Sequence, residues 1–107
     1  MILRAYSLLD VKALQYNPPF FQSTDAVAIR ALRDLVNDLN TTVGRHPSDF
    51  KLYCIGSYDD ATGHFETLHP MMHVMDASAL VPVSPPTLPF HELQLSAAER
   101  QANGSAQ

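Results

Sequence analysis

Phe50-Lys51-Leu52-Tyr53-Cys54-Ile55-Gly56-Ser57-Tyr58-Asp59-Asp60-Ala61-Thr62-Gly63-His64-Phe65-Glu66-Thr67-Leu68 is the stretch from which the fold is read. Phe50, Leu52, Cys54, Gly56 and Tyr58 fall on one side of an extended chain, and Lys51, Tyr53, Ile55 and Ser57 on the other. That period of two is the mark of a strand. Asp59 to Gly63 interrupt it with turn-forming residues, Gly63 being free to take a positive φ. His64 to Leu68 then resume as a second strand, so the stretch predicts a β-hairpin.

Upstream, Thr24 to Leu39 reads as an amphipathic helix. Ser23 or Thr24 supplies the N-cap, and Asp25 places a negative charge beside the exposed amides of the first turn. Ala28, Ile29, Leu32, Leu35, Val36 and Leu39 form one apolar stripe, opposite Arg30, Arg33, Asp34, Asn37 and Asp38. Asn40-Thr41-Thr42 and Gly44 end the helix, and His46-Pro47-Ser48-Asp49 makes a tight passage into the hairpin. Ile2 to Leu9 reads as a strand apolar on both faces, and Asn17-Pro18-Pro19-Phe20-Phe21 as a stiff extended connector. The fold class predicted is α+β, a small single domain with a β-α-β-β core and one amphipathic helix on a three-stranded sheet.

Downstream the periodicity weakens. Met71 to Leu80 is read as a short helix carrying Met72, Val74, Met75 and Leu80. Pro82, Pro85, Pro86 and Pro89 predict an extended linker, Leu93 to Gln101 a helical turn or two, and Asn103 to Gln107 a disordered end. The organisation expected is a core domain over residues 1–80 and a Pro-rich, flexible C-terminal tail over residues 81–107, with no internal repeat.

The 107 residues leave room for one domain, and 46% apolar against 17% charged side chains suffices to close a core. The net charge of -4 excludes a basic surface wrapping a polyanion on all sides. Residues 1–58 nevertheless carry +1 and residues 59–107 carry -5. With Cys54 as the single cysteine there is no intrachain disulfide, which suits a reducing cytoplasm, and Cys54 itself reads as a small buried hydrophobe. No apolar run reaches the length of a membrane span, so no membrane association is expected.

Motifs that carry chemistry are few. His64, His69 and His73 with Glu66 and Asp76 hold metal-ligand types, and His69 and His73 would share a face if Pro70 opened a helix; incidental surface histidines are the plainer reading, and no metal is expected. Asp59-Asp60 reads as turn-forming. There is no nucleophile elbow, Cys-His context or glycine-rich phosphate loop, so neither catalytic residues nor a cofactor is assigned and an enzyme is not expected. A basic and aromatic patch remains: Arg4, Lys12, Arg30, Arg33, Arg45 and Lys51 could track phosphates, with Tyr6, Phe20 and Tyr53 stacking on bases, if they share a face. Otherwise the charges are a solvated helix face and the rings belong to the core.

The order of motifs says more than any one of them. Tyr6-Ser7 with Asp10 and Lys12-Ala13, Pro18-Pro19-Phe20-Phe21, Asp25-Ala26 with Ala28-Ile29-Arg30, Val36-Asn37-Asp38, His46-Pro47-Ser48-Asp49-Phe50 with Leu52-Tyr53, and Ile55-Gly56-Ser57-Tyr58-Asp59-Asp60 with Thr62-Gly63 resemble the small nonstructural protein of gokushoviruses. Those are microviruses, phages with circular single-stranded DNA. The resemblance spans about residues 6–66; Leu39 to Arg45 and the long Pro-rich end depart from the usual pattern. It implies a non-capsid protein of the infected host's cytoplasm, described as DNA-binding, acting when single-stranded genomes are synthesised or packaged.

The expected function is therefore a phage accessory protein that binds single-stranded DNA. The alternative is an adaptor that recruits the replication initiator or the procapsid through the acidic, Pro-rich second half, without touching DNA. Small size and the exposed edges of a short sheet add the expectation of a homodimer.

Overall fold

The computed structural model describes residues 1–82. The elements are β1 (Ile2–Asp10), β2 (Gln15–Tyr16), β3 (Phe20–Gln22), α1 (Asp25–Val36), α2 (Thr42–Arg45), β4 (Phe50–Asp59) and β5 (His64–Asp76). Single 3-10 turns lie at Pro47–Asp49 and Ala77–Leu80. All strand pairings are antiparallel, in the order β2-β1-β4-β5, with β3 also on β1. The domain is mixed α and β, as expected, but its sheet has five strands rather than three. The predicted linker beyond Pro82, the helical turns over Leu93 to Gln101 and the C-terminal end lie outside the described residues.

One face of the sheet carries the core. Tyr6 and Leu8 of β1 stand beside Cys54 and Leu52 of β4 in register, and Ala28, Leu32 and Val36 of α1 close over them. All seven are buried, as are Phe50, Val43 and Ala77 around them. At about 25 cal/mol per Å² of apolar surface, this cluster dominates the stability of the fold. Thr24 caps α1 by accepting from the Val27 amide at 3.3 Å. The helix stops at Val36, three residues short of the expected Leu39. Asn37 turns its side-chain amide back to the Arg33 carbonyl at 3.0 Å, and the Thr41 hydroxyl donates to the carbonyls of Leu35 and Asp38. Gly44 lets α2 fold against this end, since a Cβ there would lie 2.0 Å from the Asp38 carbonyl oxygen.

Two departures from expectation have one origin, interrupted pairing. The connector Asn17–Phe21 is not free: Asn17 donates to the Leu8 carbonyl at 2.8 Å and accepts from the Ser7 hydroxyl at 2.7 Å. Gln15–Tyr16 and Phe20–Gln22 thus lie along the same edge of β1, split by Pro18 and Pro19, which have no N–H to donate. On the other side, Met71 to Asp76 is strand and not helix. Val74 is an extra residue between Met75, opposite Leu52, and His73, opposite Tyr53. That bulge breaks the period of two and leaves Met72, Val74 and Met75 at a spacing that imitates a helix. Pro70 is tolerated because β5 is an edge strand.

A third interruption lies further along the sheet, between Cys54 and Gly56. Ile55 has no register partner on either side: the β1 ladder steps from Gly56 to Cys54, and the β5 ladder does the same. Opposite it on β5, the four residues Leu68 to Met71 intervene between Thr67, paired to Gly56, and Met72, paired to Cys54.

Candidate nucleic-acid interface

Alternation along β4 sends Phe50, Leu52 and Cys54 to the helix and Lys51 and Tyr53 to the opposite face. On that second face the rings of three strands line up. Tyr16 of β2 meets Tyr53 edge-on at 5.9 Å between centroids, and Tyr53 meets His73 of β5 edge-on at 5.5 Å. Tyr16 and His73 are exposed and Tyr53 half-buried. Further along the same face Phe65 lies over Gly56, where a Cβ would come within 2.7 Å of its ring, and Phe21 tilts against Tyr58 at 5.4 Å.

At one end of the ring row sits a charged group of three. Asp76 accepts from Lys51 at 3.1 Å and lies 2.8 Å from His73 Nε2. His73, and then Lys51, hold the Asp76 carboxyl below its usual range. Lys12 is exposed just beyond β1, at the same end of the sheet, since β1 residue Leu9 is opposite Lys51.

Between the ring row and Phe65 the surface sinks into a concavity of 340 Å³. Its walls are almost wholly apolar, formed by Tyr16, Pro19, Ile55, Phe65 and Met71. The unpartnered Ile55 forms part of its lining, and the β5 excursion over Leu68 to Met71 forms another part.

The residues expected from sequence are not brought to one face. Arg30 and Arg33 are exposed on α1, and so lie on the far side of the sheet from Lys51. Arg45 lies in α2 and donates to the Leu39 carbonyl at 2.9 Å. Arg4 is tied at 2.8 Å to Asp25 in the first turn of α1. Tyr6, offered as a stacking ring, is wholly buried: it stacks on Phe20 at 5.7 Å and gives its hydroxyl proton to Asp25. Burial pushes its phenol up to about 12, while the Tyr6 hydroxyl, and then Arg4, hold Asp25 low. Phe20 packs on the core beside it. Tyr53 alone of the three stays on the helix-free face. The stacking candidates missed were Tyr16, Phe65 and His73; simple alternation sets Gly56 and Tyr58, and with Tyr58 its partner Phe65, on the side of Leu52 and Cys54, but the unpaired Ile55 reverses the parity and moves them to the side of Tyr53.

The three histidines do not share a helix face, because all lie on β5, with His64 3.7 Å from Glu66 and His73 bound to Asp76. Among the described residues no group of three His, Cys, Asp or Glu side chains is placed to hold a metal ion, and no helix is long and apolar enough to cross a membrane. Cys54 is buried.

Residues 3–80 match the family model described as Phage ORF5 protein. The chain belongs to this family. The ORF5 match begins in β1 and ends with the 3-10 turn at Leu80, so it takes in the whole sheet, both faces and α1. Comparison with curated proteins and with solved structures gives no match.

Proposed function

We propose that this phage ORF5 protein is a nonstructural accessory protein of the gokushovirus type that holds single-stranded DNA during genome synthesis or packaging in the host cytoplasm. The observation that carries this reading is the row Tyr16, Tyr53 and His73 across three strands on the face that the helix leaves free. Unpaired bases offer π-faces whatever their sequence, and each base stacked on a ring contributes about 1–3 kcal/mol. Duplex DNA hides those faces, so single strands are preferred. Lys12 at the end of the row supplies a cation for the backbone, and Lys51 a second once a phosphate displaces Asp76, which holds it at 3.1 Å.

Two cations make for a shallow salt dependence. With about 0.7 counterions released per phosphate neutralised on a single strand, the slope of log K against log salt is expected between about −0.7 and −1.4, the shallower value if Lys51 stays on Asp76. The test is fluorescence anisotropy of the full chain with labelled single- and double-stranded oligonucleotides over a salt series. Single-strand preference with that slope supports the role. No binding at low salt overturns it, and leaves the adaptor that docks a phage replication or capsid protein through its acidic, Pro-rich second half.

A further inference from the structure

The charged end of the ring row is built around a single oxygen. Lys51 Nζ lies 3.1 Å and His73 Nε2 2.8 Å from Oδ1 of Asp76. All three side chains are partly exposed, so a ligand can reach them. The bulge at Val74 makes their meeting possible. Residues three apart on a regular strand point to opposite faces, whereas the extra residue sets His73 opposite Tyr53 and Asp76 opposite Lys51, on one face. Asp76 also stands at the N-cap position of the 3-10 turn Ala77–Leu80, yet its side chain makes no cap there and is turned to Lys51 and His73 instead.

Lys51 is two residues from Tyr53 on the same face of β4, about 7 Å along the strand. A single strand with a base on Tyr53 therefore carries its phosphates past Lys51, where the Asp76 carboxylate already fills the place of the anion. With His73 neutral, Lys51 and Asp76 cancel, and a phosphate must displace a carboxylate to gain the cation. With His73 protonated, the carboxylate keeps a cation of its own, and the three groups together carry one net positive charge.

We infer that Asp76 is a built-in competitor of the DNA backbone, and that protonation of His73 releases Lys51 from this carboxylate to a phosphate. The inference rests on the single-strand reading above and adds to it a pH dependence of fixed sign: single strands bind more tightly as pH falls through the histidine range, between about 8 and 5. Asp76 stays ionised across that range, since His73, and then Lys51, hold its carboxyl below the usual value. The groups facing His73 are Asp76 on its own strand, Lys51 and Tyr53 on β4 and, beyond Tyr53, the phenol of Tyr16 on β2.

The test is anisotropy of the full chain with labelled oligothymidylate over a salt series near pH 8 and near pH 6. The slope of log K against log salt is expected to steepen from about −0.7 at the higher pH, with Lys12 engaged, to about −1.4 at the lower, and affinity at about 0.1 M salt to rise roughly fivefold. D76N, which frees Lys51 at either pH, is expected to show the steeper slope and the tighter binding already near pH 8. H73F, which keeps a ring beside Tyr53, is expected to hold the shallower slope at both. Wild-type binding with the same affinity and slope at the two pH values overturns the inference and leaves the ring row standing. A pH response that persists in H73F belongs to other histidines and overturns it as well, as does D76N binding no tighter than wild type near pH 8. If oligothymidylate binds at neither pH, the single-strand reading itself falls. The wild-type and H73F series decide among these outcomes even if D76N fails to fold.

Discussion

At the scale of single residues, Tyr6 is the most consequential side chain in the core. Its ring lies beneath α1, and its hydroxyl reaches Asp25, which Arg4 also holds. The phenol must stay neutral to remain there. Its ionisation moves from 10.0 to about 12 on folding, so between these values the folded state keeps a proton that the unfolded chain has lost, and stability falls as pH rises through that window. Asp25 behaves in the opposite sense. Its pKa is below the ordinary 3.8 in the fold, so its contribution is present above that value and is lost as pH falls beneath it. Y6F is expected to lose about 1 kcal/mol at neutral pH, since Asp25 is half exposed and keeps Arg4. It should also lack the wild-type decline between pH 10 and 12, which urea titrations at the two ends of the window will read.

At the scale of elements, Gly56 governs how β4 and β5 approach. A Cβ at this position would sit 2.3 Å from the Glu66 carbonyl oxygen, a backbone atom that cannot turn aside. G56A is expected to destabilise the domain by about 2–3 kcal/mol and to unseat Phe65, measured by denaturant midpoint and by the Phe65 ring resonances. T24A, which removes only the α1 cap, should lose about 1 kcal/mol and leave those resonances alone. α1 and the first part of β4 were legible from a repeated period, β1 from an apolar run too short for a helix pattern, and the start of β5 from the turn Asp59 to Gly63 before it. β2 and β3 were not, since two- and three-residue strands have no period to read; they exist because Ser7 and Leu8 offer partners to Asn17. The second half of β5 was misread because the Val74 bulge destroys its alternation. The proposed binding face suffered from the same limit: charge lists locate Arg30 and Lys51 equally well, and only strand parity separates the sides they occupy.

At the scale of the whole molecule, the two faces of one sheet differ in what they carry. The helix-bearing face stabilises the fold, and the other offers rings. Y53A is therefore expected to weaken single-strand binding about tenfold with an unchanged salt slope, because it removes a ring and no charge. R30A/R33A should leave both affinity and slope as they are, although it removes two cations, because these project from the far side. Loss of slope in that double variant would move the interface to the helix. The prolines that interrupt pairing have a consequence for crowding as well. One flank of the sheet carries Pro18 and Pro19 and the other Pro70, so neither presents an unbroken row of amides to a neighbour. Among the described residues, strand-by-strand growth into open-ended ribbons, the hazard of any uncovered sheet accumulating at high concentration, meets a proline part-way along either flank.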